Sequence, residues 1–390
     1  MIYLDNNATT RTDPRVVEAM LPFFSEVYGN AASRSHPFGW AAEEAVARAR
    51  AQVSALIGAD PREIVWTSGA TESDNLALKG VMERHTDKGR HLITTAIEHK
   101  AVLDTAQRLR GAGARVTILP VDAMGRISLD DLRNALADDT VLVSVSWGSN
   151  EIGTLQPIRE IGALCRERGV LFHTDATQCV GKMPLDVAGL PIDLMSFTAH
   201  KMHGPKGVGA LYVRRRAPRV RLSAQMDGGG HEQGMRSGTL NVPGIVGFGS
   251  ASEICRLELG TEQQHLTRLR DRLIQGILTE IDGAMLNGHP TERLPHNVNV
   301  SFKGVEGDAL MSALPDVALS TGSACSSESL AASYVLEAIG LSSALAHSSL
   351  RFGVSRYTTD AEIDYVLEKL PQTVARLRRL SAPRMTALTA

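Results

Sequence analysis

The stretch Asp193-Leu-Met-Ser-Phe-Thr-Ala-His-Lys201 decides how the rest of the chain is interpreted. It joins a short apolar run, which predicts a buried strand, to a lysine flanked by a hydroxyl and an imidazole. Burial disfavours the ammonium form of a lysine and lowers its pKa, and a neutral amine can form a Schiff base. A surface lysine that merely follows a strand has the same local pattern, so the interpretation depends on polar residues elsewhere.

Size and composition narrow the class of protein. The chain has 390 residues, 43% of them hydrophobic and 22% charged, with a formal net charge of -2, which predicts two globular domains. The charge favours neither nucleic acid nor acidic membranes as a partner, and no apolar run is long enough to span a bilayer. The start lacks the pattern of a signal peptide, and the four cysteines match neither a disulfide ladder nor a CxxC metal site. We therefore expect a cytoplasmic protein without direct nucleic-acid or membrane contact.

Apolar runs alternate with helical patterns between residues 60 and 215, which predicts an α/β fold with a mainly parallel, seven-stranded sheet covered by helices on both faces. The predicted strands span 64–67, 91–95, 115–119, 141–146, 171–173, 194–197 and 208–213. Before them, Asp13-Pro14 is typical of a helix start, and a second helix over 41–57 should end at Gly58. We predict that residues 15–255 form this large, cofactor-binding domain.

After about residue 255 the pattern changes. A polar helix over 261–281 is predicted, then strands over 297–302, 317–320 and 349–354. Thr359-Asp-Ala-Glu362 is a capping box that begins the last long helix. We predict a smaller α+β domain from residues 256–390 together with 1–14, carrying a cysteine-containing loop over about 320–330.

Polar residues follow the predicted parallel strands, where ligands bind in open α/β sheets. The small residues Ser68-Gly-Ala-Thr71 open a helix and suit an anion at its N-terminus. His99 could stack on a planar ligand, and Asp175 could pair with a protonated ring nitrogen. Taken singly, each has a structural explanation: an ordinary helix N-cap in Ser68-Gly-Ala-Thr71, a structural histidine at His99 and a helix N-cap at Asp175.

Taken together, these positions describe pyridoxal 5'-phosphate. Its phosphate would lie at Thr71, its ring nitrogen at Asp175 and its aldehyde at Lys201. Thr198 and His200 would add donors to the phosphate.

Several motifs also resemble the cysteine desulfurases, in particular their nitrogen-fixation and housekeeping iron–sulfur branch. The matching segments are Tyr3-Leu-Asp-Asn-Asn-Ala-Thr-Thr10, Thr67-Ser-Gly-Ala-Thr-Glu-Ser73, Glu98-His99, His173-Thr-Asp-Ala-Thr-Gln178, His200-Lys201, Gly228-Gly-Gly-His231, Arg236-Ser-Gly-Thr239, Gly322-Ser-Ala-Cys325 and Arg351-Phe352. The resemblance runs from about residue 2 to 370. It implies the fold of pyridoxal-phosphate aminotransferases, class V within fold type I, and a homodimer.

The resemblance assigns roles by position. Lys201 would hold the cofactor as a Schiff base, and His99 would stack on the ring and move protons. Arg351 and Asn150 would bind the substrate, with Arg351 clamping its carboxylate. The remaining cofactor contacts would come from Ala70, Thr71, Asn150, Asp175, Gln178, Thr198 and His200, and from Thr239 of the opposite subunit.

Cys325 separates a desulfurase from other enzymes of this fold. It lies in Ser320-Thr-Gly-Ser-Ala-Cys-Ser-Ser-Glu-Ser329, a small and polar segment, whereas Cys165 and Cys255 are interpreted as apolar fillers, the latter between helices. The resemblance implies that Lys201 takes the Cα proton of L-cysteine and that the Cys325 thiolate attacks its sulfur. The products would be alanine and a persulfide on Cys325.

The sequence leaves the acceptor and two other functions open. A selenocysteine lyase or another class-V enzyme would not need Cys325, and a protein that only binds partners would need none of these residues. The end of the sequence lacks the longer tail of the housekeeping branch, so the sulfur acceptor could be an iron–sulfur scaffold, a sulfur carrier or a tRNA-thiolation enzyme. No metal site is predicted, except that Cys325 could contribute to an iron–sulfur cluster shared with a scaffold.

Overall fold

The structure is a computed structural model that describes residues 1–217, 219–321 and 332–381. A seven-stranded sheet forms the centre of the larger part of the molecule. Its strands are β2 (Ile64–Thr67), β3 (His91–Thr95), β4 (Arg115–Leu119), β5 (Thr140–Ser144), β6 (Leu171–Asp175), β7 (Leu194–Thr198) and β8 (Gly209–Val213). Their order in the sheet is β2-β8-β7-β6-β5-β3-β4, and only β8 runs antiparallel to its neighbours. The predicted fold class and mainly parallel sheet are confirmed.

Helices cover both faces of this sheet. They are α1 (Pro14–Met20), α2 (Pro22–Ser25), α3 (Pro37–Ile57), α4 (Ala70–Arg84), α5 (Lys100–Gly111), α6 (Leu129–Ala135), α7 (Ile158–Glu167) and α8 (Val242–Glu280). The predicted caps are present: the Asp13 side chain accepts a hydrogen bond from the Arg15 amide, and Gly58 ends α3 in the left-handed conformation with φ 69°. Strands β2, β3, β5, β7 and β8 are buried along their whole length, as coverage of both faces requires.

The remainder of the chain forms two small sheets with helices against them. Strands β9 (Ala284–Leu286), β10 (Asn297–Phe302) and β12 (Ser349–Gly353) pair antiparallel, while β1 (Ile2–Tyr3) pairs parallel with β11 (Val317–Ala318). The helices are α9 (Gly307–Ser312), α10 (Tyr334–Ala338), α11 (Ser343–His347) and α12 (Asp360–Ser381). The capping box before α12 is confirmed, since the Thr359 amide donates to Glu362 Oε2 at 2.8 Å and the Glu362 amide to Thr359 Oγ1 at 3.3 Å.

The helix predicted over 261–281 is wrong in extent, because it is the second half of a single 39-residue helix, α8. Cys255 accordingly lies inside α8, and not between helices. The first half of α8 contains several glycines, which weaken a helical pattern in the sequence. Gly249 nevertheless has a packing reason: a Cβ there would lie 2.6 Å from the Cα of Ala49, so glycine allows α8 to approach α3 closely.

Helix α8 contributes residues to two separate hydrophobic clusters. Phe248 and Cys255 belong to the cluster around the large sheet, whereas Leu266 and Leu273 belong to a second cluster with Leu4 and the small sheets. The domain boundary near residue 255 stays a prediction.

Candidate active site

A cavity of about 560 Å³ lies at the carboxyl ends of the parallel strands. Nine of the residues predicted from the sequence line it: Ala70, Thr71, His99, Asn150, Asp175, Gln178, Thr198, His200 and Lys201. They come from distant positions in the chain and meet because parallel strands end at the same edge of a sheet.

Lys201 ends a 3-10 turn, Ala199–Lys201, that follows β7 directly. Its side chain is partly buried, and its Nζ donates hydrogen bonds to the backbone oxygens of Asn7 and Ala8, both at 2.6 Å. The amine is therefore held at the cavity wall by the N-terminal segment. The sequence had suggested no role for the residues from Asn7 to Thr9, which also line the cavity.

The start of α4 forms a second wall of the cavity. Gly69 precedes the helix in an extended conformation and offers no side chain to cap it, so the first turn of the helix lies at the cavity wall without a side-chain cap. A Cβ on Gly209 would lie 2.6 Å from the Cα of Gly69, so the glycine at the start of β8 lets the two segments come together. A helix of this length with uncapped amides is suited to an anion.

The side chains expected beside that anion are present, with their own partners. Thr198 is buried, and its hydroxyl donates to the Val208 carbonyl oxygen at 2.9 Å. His200 Nδ1 lies 3.1 Å from Thr9 Oγ1. Burial, followed by the charges of Lys201 and Lys206, lowers the pKa of His200 to about 4, so its imidazole is neutral at pH 7 and can donate only one ring hydrogen.

Asp175 ends β6, and its carboxylate faces the cavity. Its Oδ1 accepts a hydrogen bond from the Thr177 amide at 2.9 Å, while its backbone oxygen accepts from the Trp147 amide, also at 2.9 Å, and from Ser146 Oγ at 3.2 Å. The helix N-cap considered as the structural alternative for Asp175 is wrong, because its carboxylate closes a local turn and the next element along the chain is β7. These bonds fix the carboxylate at one place in the cavity.

His99 is the N-cap residue of α5, and its Nδ1 accepts a hydrogen bond from the Ala101 amide at 3.1 Å. This bond places the proton of a neutral ring on Nε2 and fixes the ring relative to α5. The preceding residue, Glu98, was missed as a functional candidate. Its buried carboxyl accepts from Thr95 Oγ1 at 2.6 Å and from the Ser146 amide at 2.9 Å, and burial raises the pKa of Glu98 to about 8.

Gln178 is buried and already bonded to the N-terminal segment. Its Nε2 donates to the Asn7 carbonyl oxygen at 3.0 Å, and its Oε1 lies 3.2 Å from His296 Nε2. Burial lowers the pKa of His296 well below its ordinary value, so this imidazole is neutral and donates to Gln178.

Two predicted residues lie outside the cavity lining. Arg351 is buried in β12, where its Nη2 lies 3.1 Å from Asp5 Oδ1 and its Nη1 donates to the Asn150 carbonyl oxygen at 3.2 Å. Thr239 is exposed, three residues after Arg236, whose Nε donates to the cavity residue Glu72 at 2.7 Å. Cys325 falls outside the described residues.

The other three cysteines are buried. Burial raises the pKa of Cys165, of Cys179 and, to about 11, of Cys255, so each thiol stays protonated at pH 7. Across the ranges that the structure describes, no group of three or more His, Cys, Asp or Glu side chains is arranged to hold a metal ion. Nor does any helix within those ranges combine the length and apolar character needed to cross a bilayer.

Comparison with known proteins identifies the family. A model of the aminotransferase class-V family matches residues 2–366. The chain belongs to this family. Its sequence is 56% identical over 380 residues to a protein named cysteine desulfurase IscS from Methylococcus capsulatus, covering 97% of this chain and 94% of that protein. The IscS of Escherichia coli O139:H28 is also 56% identical, over 382 residues, with the same coverage.

Solved structures agree with the family assignment. A NifS-like protein superposes with a TM-score of 0.89 at 39% identity, covering 96% of this chain and all of the other. A structure described as SspA in complex with cysteine gives a TM-score of 0.81 at 35% identity, covering 92% of this chain and all of the other. The resemblance to cysteine desulfurases that the motifs indicated is confirmed.

Proposed function

We propose that this class-V enzyme is a cysteine desulfurase that converts L-cysteine to L-alanine and holds the sulfur as a persulfide on Cys325. The observation that carries the proposal is the meeting of Lys201, Asp175 and the start of α4 in one cavity. Near-full-length relatives carrying the name cysteine desulfurase, and a related structure described with cysteine, support the choice of substrate.

The residues of the cavity fit pyridoxal 5'-phosphate. The uncapped amides of α4 suit its phosphate, the carboxylate of Asp175 suits its ring nitrogen, and the amine of Lys201 suits its aldehyde. The Thr177 hydroxyl, which also lines the cavity, is buried without a hydrogen-bond partner among the described residues. When bound, the cofactor supplies an electron sink that stabilises negative charge at the substrate Cα.

The chain's own residues would then hold and move protons. Lys201 Nζ, positioned by the carbonyl oxygens of Asn7 and Ala8, is the base at the substrate Cα. His99, whose Nδ1 is occupied by the Ala101 amide, carries its proton on Nε2 and moves protons near the substrate. Asn150 would contact both cofactor and substrate, and Gln178 would contact the phenolic oxygen of the cofactor.

Arg351 would bind the substrate carboxylate from behind the cavity. Its Nη atoms are engaged by Asp5 and by Asn150, the latter a cavity residue, whereas its buried Nε has no hydrogen-bond partner within the described residues. A buried donor without an acceptor is unfavourable, so an incoming carboxylate would satisfy it.

The sulfur transfer balances without an added oxidant or reductant. The Cys325 thiolate attacks the sulfur of L-cysteine, a sulfur–sulfur bond forms, and the bond between that sulfur and Cβ breaks. The electron pair of the broken bond goes to Cβ, which takes up a proton and becomes the methyl group of alanine, and Cα takes back the proton that Lys201 removed. The sulfur thus leaves the substrate as the terminal atom of a Cys325 persulfide.

We further propose a cytoplasmic homodimer in which Thr239 of each subunit contacts the cofactor phosphate of the other. The exposure of Thr239, and the ion pair that ties its segment to Glu72 at the cavity, support this arrangement. An iron–sulfur scaffold or a sulfur-carrier protein would then receive the persulfide sulfur.

The test is alanine release from L-cysteine in the presence of a thiol reductant, with and without added pyridoxal 5'-phosphate. We expect cofactor-dependent release by the wild type and by Cys165→Ser, and loss of at least 100-fold in Cys325→Ser with its cofactor absorbance retained. Full activity in Cys325→Ser would refute the role of Cys325, and preference for selenocysteine without need for Cys325 would favour a selenocysteine lyase.

A further inference from the structure

The turn Glu98-His99-Lys100 sets where the His99 ring lies in the cavity. His99 Nδ1 is bonded to the amide of Ala101 at the start of α5, so the ring moves with that turn and not independently of it. On the inner side, the Glu98 carboxyl binds the Thr95 hydroxyl and the Ser146 amide and ties the turn to the ends of β3 and β5. A second element contacts the turn from the outer side.

That element is Tyr334, the first residue of α10. Its phenol hydroxyl donates to the Glu98 carbonyl oxygen at 2.6 Å, which is the carbonyl of the peptide that precedes His99. The Nζ of Lys100 lies 5.5 Å from the centre of the Tyr334 ring, within the range of a cation–π contact. One side chain thus contacts the residues on both sides of His99.

The helix that carries Tyr334 is held independently of this contact. The Ser333 hydroxyl caps α10 by accepting from the Leu336 amide at 3.2 Å and donates a hydrogen bond to Glu151. Val335 and Leu336 are buried in a cluster that also contains Ile97 and Ile152. Removing the phenol hydroxyl alone should therefore leave α10 in place and break its hydrogen bond to the turn.

We propose that Tyr334 is a positioning residue for His99, holding the peptide before it so that the imidazole meets the reacting substrate. The proposal rests on the catalytic role given to His99 under the proposed function. Reactions that depend on group orientation lose on the order of 10²-fold for a displacement of about 1 Å, so a partial release of the turn should cost about 5- to 20-fold in kcat.

The test compares Tyr334→Phe with Tyr365→Phe in the full-length, cofactor-loaded protein. The control removes a similar phenol hydrogen bond at the protein surface, from Tyr365 on α12 to Asp316 Oδ2 at 3.2 Å. We measure kcat and KM for L-cysteine, the melting temperature, and the imidazole NMR resonance of His99 in histidine-labelled protein, assigned with His99→Gln. For Tyr334→Phe we expect a moved His99 resonance, kcat about 5- to 20-fold lower and KM within about twofold.

The control should leave all four measurements unchanged. An unmoved His99 resonance in Tyr334→Phe, or a moved resonance with unchanged kcat, would overturn the proposal. The His99 resonance is measured without turnover. It therefore tests whether Tyr334 positions the His99 ring even if the wild type releases no alanine and the proposed function fails. Should Tyr334→Phe not fold, Lys100→Gln decides: it removes the cation over the same ring from an exposed position, and an unmoved His99 resonance there would equally overturn the proposal.

Discussion

Lys201 Nζ lies 2.6 Å from the carbonyl oxygen of Asn7, although 194 positions separate the two residues in the chain. The N-terminal segment lines the cavity at the carboxyl ends of the strands and supplies two backbone acceptors, from Asn7 and Ala8, to the amine. It also bonds Gln178 through the same Asn7 carbonyl. The position of the lysine thus depends on β7 and on a segment from the other end of the chain.

The first prediction concerns which lysine holds the cofactor. Lys201→Ala should lose covalent cofactor and all alanine formation, because the amine of Lys201 faces the strand ends. Lys206→Ala is the matched control, since Lys206 also lines the cavity but is exposed. Mass spectrometry after borohydride reduction locates the attached cofactor. A reduced adduct on Lys206, or an intact adduct in Lys201→Ala, would contradict the assignment.

The second prediction tests the N-terminal segment through Gly353, which packs against it. A Cβ at Gly353 would lie 2.3 Å from Asn7 Oδ1 and 2.8 Å from the Asn7 amide nitrogen, so the segment must shift. Gly353→Ala should cost about 1–3 kcal/mol of unfolding free energy and lower kcat by moving the Asn7 carbonyl away from Lys201. Gly260→Ala on α8, where a Cβ meets nothing within 4 Å, should be neutral or stabilising. If denaturant unfolding gives the same change in unfolding free energy for both substitutions, a shift of the N-terminal segment is not the cause.

The third prediction concerns Glu98 and pH. Burial raises the pKa of this carboxyl to about 8 in the folded protein, from an ordinary value near 4.5. Because the pKa of Glu98 is higher in the folded protein than in the unfolded chain, the protonated carboxyl contributes its full stabilisation below about pH 4.5. This contribution is lost as the pH rises towards 8. The wild type should therefore lose about 1.4 kcal/mol per pH unit between roughly pH 5 and 8 relative to Glu98→Gln, which cannot ionise.

Denaturant unfolding of both proteins from pH 5 to 9 measures that difference. The free energy of unfolding of the wild type should fall relative to that of Glu98→Gln as the pH rises, and the difference between the two should become constant above about pH 8. A difference that does not change across the range would show that Glu98 ionises in the folded protein as it does in the unfolded chain.

The fourth prediction concerns the guanidinium of Arg351. A lysine keeps the charge, but its three donors share one nitrogen, so it cannot bond Asp5 and Asn150 from two separate atoms as the planar guanidinium does. Arg351→Lys should raise KM for L-cysteine by about 10-fold or more while changing kcat less. Arg268→Lys, on the surface of α8 and paired with Asp360, serves as the control. An unchanged KM in Arg351→Lys would remove Arg351 from substrate binding.

Strand ends could be predicted from the sequence because apolar runs bounded by polar residues have a direct physical meaning. Parallel packing then brings Thr71, His99, Asp175 and Lys201 to one edge, so these positions required no knowledge of long-range contacts. The first half of α8 could not be predicted from propensity, since its glycines reflect close packing against α3.

The contacts of Asn7 and Tyr334 could not be predicted from the sequence either. Asn7 acts through its backbone oxygen, which every residue type carries, and Tyr334 reaches Glu98 across 236 positions. The position of Arg351 behind the cavity depends on Asp5 at the opposite end of the chain. Pairings of this kind follow from the tertiary fold and leave no local pattern.

Sulfur transfer to Cys325 is tested most directly by a single turnover. L-Cysteine in slight deficit is added to the cofactor-loaded protein without reductant, and alanine is counted while mass spectrometry of the peptides locates added sulfur. We predict one persulfide on Cys325 for each alanine formed, and neither product in Lys201→Ala. Alanine formed without a persulfide on Cys325, or with the sulfur on Cys165, Cys179 or Cys255, would contradict it.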